Sequence, residues 1–351
     1  MRPLTCRVRG RIVSPSLIIL LSIALLLVLL AGAGAVFQRF GAARDRRLFP
    51  PLGRMVEIGD CRLHLIASGE GRPGVIFESG ISATCLNWTH VRTEVSRFTR
   101  TIAYDRASLG WSDAAKTPRL ASHLVEELHR LMIAAEVASS FILVGHSFGG
   151  LIVQMYAANY PERVSGLVLL DPLSASEWMN APESQLRMLR RGVLLSKRGA
   201  VLARLGLVRL SLTLLSRGGR RIPKAIAQAT SGNESFISRL VGEVQKMPPE
   251  VWPIIQAHWC QPKSFTGMAA YLESLPASSQ QAAAVILPSS LSVTIISAGN
   301  STAAQLAERD QMAARSSHGR HIIAPTAGHW VHLDDPNLVI QEIQAMLAPE
   351  S

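Results

Sequence analysis

A serine lies at the centre of the segment of this chain that is best suited to nucleophilic chemistry. Residues 145–149 read Gly-His-Ser-Phe-Gly, between four apolar residues and an amphipathic run. This pattern predicts a buried strand, a very tight turn and a helix. Gly145 and Gly149 stand where a Cβ would crowd such a turn. The turn would lift the hydroxyl of Ser147 out of the sheet beside the free N–H groups of a helix start, so we predict a nucleophile elbow.

A serine hydroxyl needs a neighbouring base to take its proton, and histidine is the usual choice because its pKa lies near working pH. Residues 327–336 read Ala-Gly-His-Trp-Val-His-Leu-Asp-Asp-Pro and follow the last predicted strand. We predict that His329 is the base. His332 is the alternative, although we expect it to be a surface or packing residue.

The acid that would orient this histidine has several candidates. The loop after the seventh predicted strand, residues 297–302, holds no carboxylate, and the next ones are Glu308 and Asp310. Asp171 ends the sixth predicted strand, where its carboxylate could accept the histidine Nδ1–H and stabilise an imidazolium. We therefore predict Asp171, with Glu308, Asp310 or an acid-poor arrangement around Asn300 as alternatives.

Strand and helix patterns alternate over most of the chain. The predicted strands are residues 55–58, 62–67, 75–77, 101–104, 141–144, 166–170, 292–296 and 321–324. The first two form a hairpin, and the alternation that follows predicts a mostly parallel, eight-stranded α/β sheet. Residues 172–290 lack strand patterns and are predicted to form a helical cap. The core would then comprise residues 54–171 and 291–351.

The N-terminal region contains a long uncharged segment. Its densest part, residues 17–37, would form a helix of about 31 Å, which matches a bilayer core. We predict a transmembrane helix between a basic N-terminal segment, residues 1–16, and a linker, residues 38–53. A signal peptide cleaved after Ala33 or Ala35 is one alternative, and a buried core helix is the other.

Basic residues on the two sides of this segment nearly balance. Four arginines precede it, and four follow it together with Asp45. The N-terminal amine favours a cytoplasmic N-terminus, so the catalytic domain is expected on the non-cytoplasmic side as a single-pass membrane protein. A cleaved signal would instead give a secreted or periplasmic protein.

The net charge of +11 comes from 36 Lys and Arg against 25 Asp and Glu. Residues 187–224 hold eleven Lys and Arg and no acidic residue, interleaved with leucines. Such a segment suits the surface of a membrane with anionic lipids, or the solvated basic face of a cap helix. Nucleic acid is not expected, because aromatic residues for base stacking are absent from this stretch. The four cysteines lack metal-ligand spacing, so no metal site is predicted.

Three motifs carry a family resemblance. They are Tyr-Asp-Arg-Ala-Ser-Leu-Gly-Trp-Ser at 104–112, Gly-His-Ser-Phe-Gly-Gly at 145–150, and Gly-His at 328–329 followed by Asp-Asp-Pro at 334–336. In this order and spacing the chain resembles the α/β-hydrolase superfamily over about residues 54–349, and in particular serine esterase- or lipase-like members with a helical cap. The resemblance implies hydrolysis of a small, apolar carboxylic ester through an acyl-Ser147 intermediate, with no metal or organic cofactor.

The resemblance also implies further site residues. The backbone N–H groups of Phe148 and Ile81 would form the oxyanion hole, and His146 and Trp111 would contact substrate. Epoxide hydrolases and haloalkane dehalogenases of this fold use an aspartate nucleophile, so Ser147 disfavours those chemistries. Hydrolysis of amides, lactones or carbon–carbon bonds remains open, as does a non-catalytic, ligand-binding member of the superfamily.

Overall fold

The computed structural model describes residues 15–137, 140–217 and 246–348. Most of the predicted basic N-terminal segment and the last part of the basic stretch, residues 218–224, lie outside these ranges. All eight predicted strands fall within them. The strands are β1 (Arg54–Glu57), β2 (Arg62–Ser68), β3 (Gly74–Glu78), β4 (Thr101–Tyr104), β5 (Phe141–His146), β6 (Val164–Leu170), β7 (Ser292–Ala298) and β8 (Gly319–Ala324).

The eight strands form one sheet in the order β1-β2-β4-β3-β5-β6-β7-β8. β2 pairs antiparallel with β1 and with β4, whereas the other five pairings are parallel. This arrangement confirms the predicted mostly parallel α/β sheet. Because the carboxyl ends of the parallel strands meet at one edge, the loops after β3, β5, β6 and β8 come together there.

Twelve α-helices accompany the sheet in the described part of the chain. They are α1 (Pro15–Leu48), α2 (Thr89–Val95), α3 (Ala121–Ala134), α4 (Phe148–Asn159), α5 (Ala175–Met179), α6 (Glu183–Arg204), α7 (Leu207–Arg217), α8 (Trp252–Trp259), α9 (Pro262–Ala283), α10 (Ala303–Ala314), α11 (Val331–Asp334) and α12 (Pro336–Leu347). Helices α5 to α9 lie between β6 and β7, so the inserted segment is helical over its described residues.

The central strand β5 is buried along its whole length. Alternate side chains of a strand point to opposite faces. Phe141 and Leu143 accordingly join the core cluster that contains α3 and α4. Ile142 and Val144 join the cluster on the other face, with α2 and α12. Burial on both faces explains the unbroken apolar run that precedes the glycine-rich turn.

Helix α1 is longer than the predicted transmembrane segment. It continues to Leu48, so the prediction of a linker is wrong for residues 38–48. Gln38 and Ala42 are buried against the cap, and these contacts stabilise the helical extension. Within the described residues, one helix, Ser16–Leu48, is long and apolar enough to cross a membrane, and its most apolar window is exposed.

Candidate active site

Ser147 occupies the tight turn between β5 and α4. Its backbone has φ 53° and ψ −120°, a conformation that L-residues rarely adopt. A Cβ on Gly149 would lie 2.5 Å from the carbonyl oxygen of Glu78, and one on Gly145 would lie 2.6 Å from Cγ2 of Val153. Glycine at both positions therefore allows the turn to pack against β3 and α4 while the serine is held at the edge of the sheet.

His329 connects this serine to a carboxylate. Its Nε2 lies 3.0 Å from Oγ of Ser147, and its Nδ1 lies 2.6 Å from Oδ2 of Asp171. An ionised carboxylate can only accept a hydrogen bond, so Nδ1 carries the proton and Nε2 is free to accept from the serine hydroxyl. The structure thus brings together the three residues predicted from separate parts of the sequence.

Asp171 follows β6 directly and is fixed by several donors. Its Oδ1 accepts from Nη1 of Arg309 at 2.7 Å, from the backbone N–H of Ala298 at 3.1 Å and from the hydroxyl of Ser301 at 3.1 Å. Burial of the carboxyl group opposes ionisation, but the hydrogen bond with His329 and the charge of Arg309 outweigh it and lower the pKa of Asp171 to about 2. Asp171 is therefore a charged acceptor at neutral pH.

The alternative acids make other contacts. Glu308 accepts hydrogen bonds from the hydroxyls of Ser174 and Ser176. Asp310 lies 2.7 Å from Nδ1 of His321. Asn300 is exposed to solvent. Of the candidate acids, Asp171 is the one that contacts His329.

Arg309 is a part of this site that the sequence analysis missed. It is buried, and besides Asp171 its guanidinium donates to Ser297, Ser301 and the backbone oxygen of Pro172. The sequence contains a signal for this position. Residues 306, 309 and 313 lie on one face of α10, and Arg309 occupies a position in that pattern where an apolar residue is expected. Reading α10 as an amphipathic helix would have identified an arginine that faces the core.

The loop after β3 approaches the serine from the other side. A Cβ on Gly80 would lie 3.7 Å from the Cβ of Ser147. The buried Arg106 donates to the backbone oxygen of Ser79 at 3.0 Å and to that of Gly80. Ile81, half-buried, comes next. Since the guanidinium holds these two carbonyl groups, it fixes the path of the loop that carries the N–H of Ile81.

Phe148 is the first residue of α4, immediately after Ser147. N–H groups in the first turn of a helix lack acceptors within that helix. Those of a helix start also face outward with partial positive charge. The N–H of Phe148 and the loop that carries Ile81 therefore both lie next to the serine.

The two predicted substrate-binding side chains have other positions, and both predictions are corrected. His146 is 1% exposed, and its Nε2 donates to the backbone oxygen of His329 at 2.8 Å. Burial lowers the pKa of His146 well below its usual value. The side chain at the end of β5 points into the protein interior. Its neutral ring therefore supports the loop of His329 from the buried side.

Trp111 is directed toward the N-terminal helix. Its indole N–H donates to the backbone oxygen of Phe49 at 3.0 Å, and its ring contacts those of His64 and His258. Its backbone N–H is bound by Asp105. Trp111 therefore packs the segment that follows α1 onto the core.

His332 is a packing residue. It is 1% exposed and stacks on Trp88 with ring centroids 4.3 Å apart. Burial lowers its pKa to about 3. The ring is therefore neutral and packed behind the loop of His329.

A second buried polar cluster lies beside Trp111. His64, Cys85 and Asp105 have donor atoms close enough for a metal ion. However, Asp105 already accepts from His64 at 3.0 Å and from the N–H of Cys85 at 2.8 Å. The other His64 nitrogen accepts from the N–H of Gly53 at 3.1 Å. These hydrogen bonds pair the polar atoms of the cluster with one another and with Gly53. We therefore interpret the cluster as a structural contact that holds neighbouring chain segments together.

Residues 75–342 match the model of the Alpha/beta hydrolase family. The chain therefore belongs to this family. The fold, the position of Ser147 after β5 and the order of serine before histidine along the chain agree with this assignment.

Similar proteins include several hydrolases. The 2-hydroxy-6-oxo-2,4-heptadienoate hydrolase of Pseudomonas putida is 34% identical over 131 residues, which are 36% of this chain and 46% of that protein. The chain spans about half or less of the length of the curated relatives it matches.

Solved structures share the fold at low identity. An esterase from Thermogutta terrifontis superimposes with a TM-score of 0.55 at 19% identity, covering 84% of this chain and 97% of the other. The Cif epoxide hydrolase of Acinetobacter nosocomialis gives 0.65 at 15% identity, covering 90% and 97%. Together with the family, these neighbours support a hydrolytic function.

Proposed function

We propose that this protein is a serine hydrolase that cleaves carboxylic esters through an acyl-Ser147 intermediate. The observation that carries the proposal is the pair of contacts of His329, 3.0 Å to Oγ of Ser147 and 2.6 Å to Oδ2 of Asp171. A nucleophile, a base and an orienting acid in this sequence of bonds form the arrangement that activates a serine.

Acylation begins when Oγ of Ser147 attacks the ester carbonyl carbon. Nε2 of His329 takes the hydroxyl proton as the new C–O bond forms, and Asp171 stabilises the resulting imidazolium through Nδ1–H. The same Nε2–H then protonates the oxygen of the departing alcohol. A water molecule repeats the attack on the acyl group, His329 takes its proton, and Ser147 leaves with a proton from the imidazolium.

The negative charge that develops on the carbonyl oxygen needs donors fixed in advance. We assign the backbone N–H groups of Phe148 and Ile81 to this role. Two observations support this assignment. Helix α4 starts directly after Ser147, and Arg106 donates hydrogen bonds to the loop before Ile81. Neither donor has to reorganise during the reaction, since both belong to segments fixed by buried hydrogen bonds.

The surroundings of the serine favour an apolar substrate. The half-buried Ile81 and Leu173 both pack against the core. Leu173 also donates its backbone N–H to the backbone oxygen of Ser147 at 3.1 Å, which places it beside the elbow. An acyl group bound between these side chains would be removed from water, so we infer a small, apolar ester substrate.

Esters of p-nitrophenol with acyl chains of rising length test this proposal. The parent protein should hydrolyse some of them, whereas Ser147→Ala and His329→Ala should both lose nearly all turnover, because triad members act as a unit. His332→Ala is the control, since His332 packs behind the site. Ester turnover that survives Ser147→Ala, or that is lost only in His332→Ala, would refute the assignment.

A second candidate function comes from the sequence relatives. The Pseudomonas putida protein acts, by its name, on 2-hydroxy-6-oxo-2,4-heptadienoate, a keto acid without an ester bond. Such a substrate would need the same serine and histidine. Consumption of this keto acid by the parent protein, with inactivity on all esters of the panel, would favour this candidate.

We further propose that α1 anchors the protein in a membrane, with the catalytic domain on the non-cytoplasmic side. The long, exposed apolar part of α1 supports the anchor. The protein should stay with membranes after a carbonate wash. An N-terminus mapped just after Ala33 or Ala35 would instead show a cleaved signal and a secreted or periplasmic enzyme.

A further inference from the structure

Helix α7 carries a row of leucines on its exposed side. Leu207, Leu210 and Leu214 are 45%, 46% and 56% exposed. Their spacing of three and four residues places them on one face of the helix. Arg209, which points the other way, is buried. An exposed apolar face of this kind is typical of an interaction surface.

Helix α6 extends this surface. Met188, Leu195 and Leu202 recur every seven residues, and each is exposed. The exposed arginines Arg191 and Arg198 stand between them on the same side. We call the exposed sides of α6 and α7 with these residues the cap face. From residue 187 to the end of α7 no acidic residue interrupts the leucines and arginines, a composition that suits a surface that is both apolar and negatively charged.

The corner between α6 and α7 is docked onto α1. A Cβ on Gly34 would lie 2.2 Å from the backbone oxygen of Leu205, and one on Gly206 would lie 2.6 Å from the backbone oxygen of Gly34. The two backbones therefore touch at a point where any larger residue would separate them. This close approach fixes the cap relative to the N-terminal helix.

Buried polar contacts fix the same interface further along α1, one turn after Gly34 at Gln38 and about three turns after it at Asp45. Nη1 of Arg209 lies 2.7 Å from Asp45, and its Nε donates to Oε1 of Gln38 at 2.9 Å. The amide nitrogen of Gln38 in turn donates to the backbone oxygen of Cys260 at 2.8 Å. Helix α1 is thus bonded to α7 and to Cys260, the residue that follows α8.

The docking sets the height of the cap relative to a bilayer. The predicted membrane segment, residues 17–37 of α1, would cover about 31 Å, close to the thickness of a hydrocarbon core. Gly34 would then lie within one helical turn of the point where α1 leaves the hydrocarbon core, and the α6–α7 corner that touches it would lie at the same level. The cap face therefore begins at the membrane surface.

We propose that the cap face lies on the membrane beside the anchor, with its leucines at the acyl boundary and its arginines among anionic lipid headgroups. The inference rests on the membrane span proposed for α1 and adds a second contact between protein and bilayer. Charge complementarity favours anionic lipid, since arginine side chains can reach phosphate groups while their stems lie on apolar surface. The site behind the cap would then take substrate at the membrane surface.

The test places a fluorescent label on the cap face of the full chain. In a Cys6→Ser background, Leu210→Cys carries an environment-sensitive fluorophore, while Cys61, Cys85 and Cys260 are buried. The protein is reconstituted in phosphatidylcholine vesicles with or without phosphatidylglycerol. Lipids with a nitroxide near the headgroup serve as the membrane quencher, and acrylamide serves as the aqueous quencher.

Ile133→Cys is the matched control. Ile133 is an equally exposed apolar residue, at 54%, near the end of α3. Since α3 ends near the start of β5, this label lies at the edge of the sheet opposite Ser147. We expect nitroxide lipid to quench the label at position 210 strongly, more so with phosphatidylglycerol, and to leave the label at position 133 unaffected.

Two results would overturn the proposal. Quenching of the label at position 210 by acrylamide alone would show a cap face in water. Protection from both quenchers would show that protein covers the label. Dilution to one protein per vesicle would then distinguish a second copy, which would be lost, from residues 218–245 of the same chain, which would stay. Flotation of the protein with the vesicles tests the proposed anchor independently, and ester turnover tests the proposed role of Ser147. A failure of either proposal can therefore be told apart from a failure of the cap-face proposal.

Discussion

Asp171 is held ionised by two neighbours at once. One carboxylate oxygen contacts Nδ1 of His329 and the other accepts from Arg309. Burial opposes the charge, but these contacts prevail and lower the pKa to about 2. Because the folded value lies below the ordinary one, the ionised carboxylate stabilises the fold above about pH 4, and this contribution is lost as the pH falls through about 2.

Replacing Asp171 should affect both chemistry and stability. In Asp171→Asn we expect turnover to fall at least about a hundredfold, because an amide cannot stabilise the imidazolium. The thermal midpoint should also fall, since Arg309 is left buried without its counter-charge. Asp310→Asn is the control, because Asp310 contacts His321 and its side chain is 69% exposed. Full activity of Asp171→Asn would show that another group orients His329.

In the proposed mechanism, Arg309 acts through Asp171 and is a positioning residue. In Arg309→Met we expect kcat to fall roughly tenfold, or ~1.4 kcal/mol of activation free energy, with KM little changed. The acidic limb of the pH–rate profile should move to higher pH, because the charge of Asp171 is no longer offset near the imidazolium. Arg315→Met, at an exposed position just after α10, should change neither quantity. A loss of thermal stability with an unmoved pH profile would indicate a purely structural role.

At the scale of secondary structure, the site depends on how closely the loop after β3 approaches the start of α4. The turn at Ser147 fits because Gly149 lies against the backbone oxygens of Glu78 and Ser79, which belong to the end of β3 and its loop. Arg106 and the indole of Trp88, which donates to Ser79 Oγ at 3.0 Å, hold the same loop. Elbow and loop therefore form one rigid unit.

A methyl group at Gly149 should disrupt this unit. In Gly149→Ala the new Cβ would meet the backbone oxygen of Glu78 at 2.5 Å, which only a shift of β3 or α4 could relieve. We expect a loss of about 1–3 kcal/mol of stability, together with a large loss of turnover. Thermal unfolding and ester turnover measure the two effects.

Gly192→Ala is the control for this substitution. Its Cβ would meet only a flexible methyl group of Leu272, at 3.3 Å. Alanine also has the higher helix propensity within α6. Stability and activity should therefore stay near those of the parent. Equal behaviour of the two variants would contradict the steric account of the elbow.

Local patterns predicted most of the sheet and much of the site. The strands are short apolar runs, and the elbow depends on steric limits within five consecutive residues, so both leave a mark in the sequence. The pairing of His329 with Asp171 followed from the ends of their strands. Arg309 was missed because its significance depends on which side of α10 faces the core.

The wrong predictions concern residues whose conformation or direction is decided by contacts with distant parts of the chain. Residues 38–48 were predicted as a linker, yet they are helical because Gln38 and Asp45 bond to Arg209, far along the chain. His146 and Trp111 stand in motifs next to the site, but packing turns both away from the serine. A sequence motif alone determines neither the burial of a side chain nor its direction.

At the scale of the whole molecule, α1 contains the proposed membrane anchor and also a part of the cap interface. Its first half is exposed and apolar, whereas Gln38 and Ala42 in its second half are buried. The second half bonds to α7 and to Cys260 just after α8, and the segment that follows α1 is held by Trp111. These contacts fix the cap relative to the proposed anchor.

The largely buried pair of Asp45 and Arg209 should be a strong part of this interface. Asp45→Asn leaves an uncompensated arginine there, so we expect a destabilisation of about 3 kcal/mol. Glu273→Gln is the matched control, because Glu273 pairs with Lys197 between two cap helices with both side chains about half exposed. That variant should lose at most ~1 kcal/mol. Equal thermal midpoints for the two variants would show that α1 is not firmly docked.

If Ser147 is an activated nucleophile, a reagent that attacks such serines should modify it covalently. The intact mass of the protein is measured after treatment with a fluorophosphonate, which reacts with activated serines. We predict one adduct per chain, located on Ser147, in the parent protein and in His332→Ala, and none in Ser147→Ala or His329→Ala. An unmodified parent protein, or an adduct that persists in Ser147→Ala, would show that Ser147 is not the activated nucleophile.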